Sequence, residues 1–312
     1  MGRRRHRAGQ SPDPTNAAAA AAMKNATPVS LLEQIKLPRD LQRLAVALFG
    51  KKGSERTIAN AAGPVVVSSL NQRIRLVSRH GDDSIPRLIG EFAGGRDKYG
   101  IGLIKTPAPL LLDAGGNIGF ITILATRLLP NSQVVVFEPS PETYFFLRCN
   151  LYLNRVHVLT SEELQWRPAV PGVYPVFGGL GGAAPFEMAI IPKESQSQNR
   201  GTSFSATGDV PVYNLRSFLS THGLDARRFD LLKLDCECCE YRVVPDSRDW
   251  ITNRSLVGRL AGEIHPCFAG SKKQQRTLDI LRGMGCRFPE RNFKENGDLE
   301  RAANLLSSCE LT

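Results

Sequence analysis

Apolar residues first fall into a regular stripe just after Pro38, where Leu41, Leu44, Ala45, Leu48 and Phe49 recur at helical spacing. Proline suits the first turn of a helix, and Gly50-Lys51-Lys52-Gly53 predicts its end. Val65-Val66-Val67 and Ile74-Arg75-Leu76-Val77 predict two short strands around Asn71. From Ile101 onward the pattern alternates between short apolar runs and longer helical stretches. Leu110 to Leu112, Val134 to Phe137, Leu231 to Leu234, Leu260 to Ile264 and Cys286 to Phe288 predict strands. Ile118 to Leu129, Pro141 to Asn154 and Gln274 to Met284 predict helices. Apolar strands alternating with helices predict an α/β fold, a doubly wound and mainly parallel sheet covered on both faces. The glycine-rich stretch from Gly172 to Gly208 interrupts the alternation and reads as loop with one strand at Met188 to Ile191.

The 312 residues divide by pattern into a basic, Ala-rich tail (1–37), an N-terminal helix with a small β cap (38–100), and the main domain (101–312). Met1 to Ser30, with Arg3-Arg4-Arg5-His6-Arg7 and the run Ala17 to Ala22, reads as disordered. No apolar run approaches the ~18 residues a spanning helix needs, so no membrane span is expected. The formal net charge is +10, but residues 1–56 hold 11 basic and 4 acidic residues, leaving 29 against 26 for the rest. The basicity belongs to the tail, and a chain that neutralises many phosphates is basic where it folds, so no nucleic-acid partner is expected. Seven cysteines are too sparse for a disulfide scaffold and predict a reduced, cytoplasmic setting. The Arg-rich, acid-poor start leaves an organellar transit peptide as the alternative.

The sharpest chemical feature is Leu112-Asp113-Ala114-Gly115-Gly116-Asn117-Ile118-Gly119, a strand that ends in an acid and turns through glycines into a helix. Ligands of open parallel sheets bind beyond the carboxyl ends of the strands, and glycines there let a ligand lie against the main chain. Glu138 ends the next strand, about where a carboxylate reaches ribose hydroxyls in such folds. The turn lacks the G-x-G-x-x-G of a pyrophosphate site, and Asp113 at its mouth would repel a dianion by roughly 4 kcal/mol at ~4 Å and an effective dielectric of about 20. The same carboxylate would attract the ammonium and sulfonium of S-adenosylmethionine.

In these segments the chain resembles the FkbM-type methyltransferases, a branch of the Rossmann-like S-adenosylmethionine-dependent enzymes. The resemblance rests on Asp113 to Phe120, Phe137-Glu138-Pro139-Ser140-Pro141, Leu147-Arg148-Cys149-Asn150, Gly201-Thr202-Ser203 with Val210-Pro211-Val212, Leu232 to Glu240, and Gly262-Glu263-Ile264-His265-Pro266. Cys238 stands where the family has glycine. The resemblance implies methyl transfer to an oxygen of a sugar or other small-molecule acceptor. It implies that Asp113, Gly115, Gly116, Asn117 and Gly119 form the methionine side of the donor site and that Glu138 meets the ribose. A catalytically idle binding protein of the same fold, or a dinucleotide oxidoreductase, is the alternative.

An alcohol acceptor benefits from a base or from a metal that acidifies it. Asp235 ends one strand, and Glu263 and His265 end another, so Asp235, Glu237 and His265 are the candidate catalytic residues. Asp235, Glu237 and Glu240 could supply oxygen ligands to Mg²⁺, but nothing else in the sequence supports a metal and no ligands are assigned. Carboxylates after a strand also serve as helix caps. Cys236, Cys238 and Cys239 lack the second ligand pair of a zinc site.

Overall fold

A computed structural model describes residues 36–92, 95–181, 188–190, 202–204, 210–265, 270–286 and 304–310. The N-terminal tail predicted to be disordered lies outside the described residues but for its last two positions. The amphipathic stripe forms α1 (Arg39–Ala59), which buries Leu41, Ala45 and Ile58. Gly50, at φ 67° and ψ 171°, breaks the helical geometry where the stop is predicted, and a second helical stretch runs on from it to Ala59. Glycine takes that angle without a Cβ clash, and helix-compatible residues on its far side let the helix resume. β1 (Val65–Ser69) and β2 (Gln72–Leu76) form an antiparallel hairpin whose turn residues, Leu70 and Asn71, both have positive φ. α2 (Ser84–Phe92), absent from the sequence prediction, buries Ile85, Ile89 and Phe92.

The main sheet is built from β3 (Leu110–Ala114), β4 (Gln133–Glu138), β5 (Gly172–Phe177), β6 (Leu231–Leu234), β7 (Arg259–Ile264) and β8 (Asn304–Glu310). Its spatial order is β8-β7-β6-β3-β4-β5; the five strands from β7 to β5 are parallel, and β8 runs antiparallel along β7. Helices α3 (Phe120–Leu128) and α4 (Pro141–Leu153) follow β3 and β4. After β5 come α5 (Leu215–Thr221), then α6 (Glu240–Asp246) beyond β6 and α7 (Lys272–Gly283) beyond β7. The doubly wound, Rossmann-like sheet is thus the one expected, with two corrections. Gly172 opens a sheet strand and not a loop, because β5 carries apolar residues on both sides of the pleat. The edge strand is β8, while Cys286 has no regular structure and the rest of the strand predicted to Phe288 lies outside the described residues. The predicted strand at Met188 is present over Met188–Ile190.

Period-2 alternation divides the core. Leu111, Val134, Val136 and Leu231 join one apolar cluster, whereas Leu110, Leu112, Val135, Phe137, Leu232 and Leu234 join the other. The first cluster also takes in α1, the hairpin and α2, so these elements share one core with the sheet. Asn150 on α4 accepts from the Val77 N–H at 2.7 Å and donates to the Val77 carbonyl at 3.0 Å, and Asn154 treats Arg75 in the same way, which rivets the hairpin to the sheet's helices. Among the described residues no helix is long and apolar enough to cross a membrane.

Winding reverses at β3: the chain goes outward to β4 and β5, then returns to lay β6 and β7 on the other side. The carboxyl ends of β3 and β6 meet at that switch point, the edge at which open sheets hold their ligands.

Candidate active site

The turn after β3 folds as its glycines require. Gly115 has φ 83°, and a Cβ on it would sit 1.8 Å from the Asp235 carbonyl oxygen, so only glycine lets the ends of β3 and β6 close on each other. The N–H groups of Gly115 and Gly116 both donate to the Phe137 carbonyl, at 3.1 and 2.9 Å. Glu138 lies across this turn: Oε2 accepts from the Asn117 N–H at 2.9 Å and Oε1 from the Ser140 N–H at 2.8 Å. Burial raises its carboxyl to about 7, against the pull of those two hydrogen bonds and of Lys233.

Asp113 does not face the crevice. Parallel register sets it opposite Lys233, on the same side of the sheet, and its side chain, 5% exposed, packs under α3. Oδ1 accepts from Lys233 Nζ at 2.8 Å and Oδ2 from the Thr122 hydroxyl at 2.6 Å. The carboxylate is therefore committed to an internal ion pair, which corrects the expectation that it attracts a ligand's ammonium directly. Gly119 likewise stays off the cavity wall; at φ 89° it opens α3, and a Cβ there would meet Leu147 and not a ligand.

The other expected residues do converge. A cavity of about 260 Å³ is walled by Gly115, Gly116, Asn117 and Glu138 on one side and by Asp235, Glu237, Glu263 and His265 on the other. His265 Nε2 lies 3.6 Å from Asp235 Oδ1, 3.8 Å from Glu237 Oε1 and 3.9 Å from Glu263 Oε2. Its Nδ1 meets Glu240 Oε1 at 3.0 Å, and the same oxygen accepts the His265 N–H at 2.7 Å. Burial would lower the imidazole, but Glu240, Glu237 and Asp235 outweigh it and lift the pKa to about 9. Burial would raise Asp235, yet Lys233, His265, Lys98 and the Tyr99 hydroxyl hold it below the usual carboxylate range. The two face each other as a charged pair. Glu240 is fully buried beneath them and belongs to the support of His265, not to a Mg²⁺ cluster with Asp235 and Glu237.

Several site residues escape the sequence reading. Tyr99 donates its hydroxyl to Asp235 Oδ2 at 2.7 Å, and Lys98 bridges Glu263 and Glu91, the latter at 3.0 Å. Arg87 and Glu91 of α2 line the same cavity. The only local signal is a charged, aromatic segment, Arg96-Asp97-Lys98-Tyr99, between glycines.

The loop after Asp235 also departs from expectation. Cys236 and Cys239 are disulfide-bonded, against the reduced thiols expected, so neither thiolate is available to a metal. Glu237 and Cys238 both have positive φ, 52° and 94°. That backbone explains why a glycine suits position 238, and the Cys238 sulfur is itself in a disulfide.

A sequence model of the FkbM methyltransferase domain matches residues 113–288. Methyltransferase sdnD of Sordaria araneosa is 27% identical over 168 residues, 48% of this chain and 65% of that protein. Methyltransferase 1 of Beauveria bassiana is 41% identical over 157 residues, 45% of this chain and 59% of its own length. The chain thus spans about three-fifths of the length of these curated relatives. A crystal structure of an FkbM methyltransferase from Methylobacillus flagellatus covers 65% of this chain and 44% of its own, at 13% identity and a TM-score of 0.37. Lys98 and Tyr99 precede the matched segment.

Proposed function

The chain belongs to the FkbM methyltransferase family, and from that premise we propose that the crevice binds S-adenosylmethionine and serves methyl transfer to a hydroxyl of a sugar or other small molecule. The observation that carries the reading is the charge of the cavity wall. Five carboxylates, those of Glu91, Glu138, Asp235, Glu237 and Glu263, face Arg87, Lys233 and the imidazole of His265. A wall with surplus negative charge suits a cationic donor and repels the pyrophosphate of a dinucleotide. The ammonium that Asp113 was expected to attract finds its counter-charge here instead.

When bound, the donor supplies an electrophilic methyl whose bond to sulfur breaks as the bond to the acceptor oxygen forms. Glu138 is placed to accept from the ribose hydroxyls, its carboxylate held by Asn117 and Ser140 with lone pairs to spare. Gly115, Gly116 and Asn117 let the methionine portion lie against backbone. Asp235 and Glu237 are the carboxylates positioned to take the acceptor's proton. His265, protonated at neutral pH, acts as their counter-charge and orienting group, a role that replaces the base expected of it. Orientation then supplies much of the rate.

Incubating the protein with methyl-labelled donor and a panel of sugars and polyketide-like alcohols tests the reading. Label should pass to an acceptor oxygen, and Asp235→Asn should cut that transfer about 100-fold while donor affinity holds. Label transfer to a nitrogen, or full turnover in Asp235→Asn, would overturn the assignment.

A further inference from the structure

Three polar atoms at the sheet edge face one another without a hydrogen bond between them, and Glu237 Oε1 stands 3.8 Å from the imidazole nitrogen among them. Asp235 has Oδ2 engaged by the Tyr99 hydroxyl, which leaves Oδ1 pointing at His265. Glu263 has Oε1 engaged by Lys98, which leaves Oε2 pointing at the same imidazole. His265 has Nδ1 engaged by the fully buried Glu240, which leaves Nε2 inward. That imidazole is 8% exposed, and among the described residues its Nε2 makes no hydrogen bond.

We propose that Asp235 Oδ1, Glu263 Oε2 and His265 Nε2 bind one divalent transition-metal cation of the Mn²⁺ type, the imidazole releasing its Nε2 proton to solvent as the ion enters. Ligand atoms about 2.1 Å from such an ion lie about 3.0 to 3.4 Å from one another. The observed separations from Nε2, 3.6 and 3.9 Å, need only a few tenths of an ångström of contraction. One ligand atom from each of Asp235, Glu263 and His265 lies within 4.8 Å of the other two. The outer partners are those of a metal shell: a carboxylate behind the histidine fixes its ring, and hydrogen bonds fix both carboxylates. Mixed imidazole and carboxylate donors favour a first-row ion over Ca²⁺. Lys233 does not fill the place, because Asp113 and the Gly115 carbonyl hold its ammonium at 2.8 and 3.0 Å, leaving it 3.9 Å from Asp235 Oδ2.

Binding of the ion is independent of methyl transfer; its use rests on the reading above. An acceptor hydroxyl bound to the ion is acidified and gives its proton to Glu237 and on to solvent. The freed oxygen lone pair forms the O–CH₃ bond as the S–CH₃ bond breaks, and the pair from that bond stays on sulfur.

The full chain, stripped with EDTA and dialysed, is titrated with MnCl₂ while the electron paramagnetic resonance of free Mn²⁺ is followed, and the bound ion is probed for imidazole nitrogen coupling by spin-echo modulation. One saturable Mn²⁺ per chain with nitrogen modulation is expected. Modulation should vanish in His265→Ala, and affinity should fall at least about tenfold in Glu263→Gln, with both melts recorded. No saturable site in the wild type, binding without nitrogen modulation, or unchanged affinity in both variants would overturn the proposal. Affinity for S-adenosylhomocysteine is measured in parallel. Its loss with Mn²⁺ still bound defeats the methyltransferase reading alone, and its retention without Mn²⁺ binding defeats the metal alone.

Discussion

Replacing Lys233 with methionine keeps most of the side-chain volume and removes the ammonium that neutralises Asp113. The pair is closed from water, with side-chain exposures of 3% and 5% and a separation of 2.8 Å. In Lys233→Met the carboxylate keeps only the Thr122 hydroxyl, so it becomes an uncompensated buried charge. Breaking one side of such a pair costs about 3–5 kcal/mol. For a chain of this size each kcal/mol moves the melting temperature by roughly 2–4 °C, which predicts a fall of about 6 to 20 °C. A neutral replacement of both members is often well tolerated, so Lys233→Met/Asp113→Asn should be more stable than Lys233→Met alone. Thermal and urea unfolding of the wild type, both single variants and the double variant give the coupling energy. A coupling below about 1 kcal/mol, or a double variant no better than the sum of the singles, would refute the internal role assigned to Asp113.

Glu138 carries a pH signature. Its folded pKa of about 7 lies above the ordinary 4.5, so its protonated form favours the folded state, and that contribution is lost as pH rises from about 4.5 to about 7. Wild type should therefore lose roughly 3 kcal/mol or less relative to Glu138→Gln across this window in pH-dependent urea unfolding; a constant difference contradicts the assignment. Gly115→Ala places a methyl where the Asp235 carbonyl stands, and should weaken donor binding more than tenfold by dialysis; unaltered binding would show that the β3–β6 contact yields easily. Tyr99→Phe removes a hydrogen bond to a charged group, worth about 1.5–3 kcal/mol. Turnover should fall at least tenfold with donor affinity constant, and the acidic limb of the pH–rate profile should move to higher pH because Asp235 loses one stabilising partner. A drop in stability with kinetics unchanged would make Tyr99 purely structural.

The sheet was legible because its strands are continuous apolar runs: Leu110 to Leu112 and Val134 to Phe137 fill both faces, and such runs have few other uses. The glycine turn and Glu138 were legible for the same local reason, since a strand end, a turn and a helix start lie within one short segment. Asp113 misled because a sequence shows that a carboxylate ends a strand but not which face it takes. Only the parallel register, which brings Lys233 opposite it, decides that. Tyr99 and Lys98 were missed because they reach Asp235 and Glu263 across 136 and 165 residues, with no periodic pattern to mark them. The glycine signal at Gly50 marks a real break in α1, whereas at Gly172 it points to a loop where the packing of β5 makes a strand.

The central claim is that the crevice at the ends of β3 and β6 takes a cationic nucleoside cosubstrate, and isothermal titration of the purified chain with S-adenosylmethionine measures it directly. The account predicts saturable binding of one molecule per chain, weakened about 10- to 100-fold by Glu138→Gln through lost hydrogen bonds to a charged group. Absence of saturation, or tighter binding of a nicotinamide dinucleotide than of S-adenosylmethionine, would contradict it.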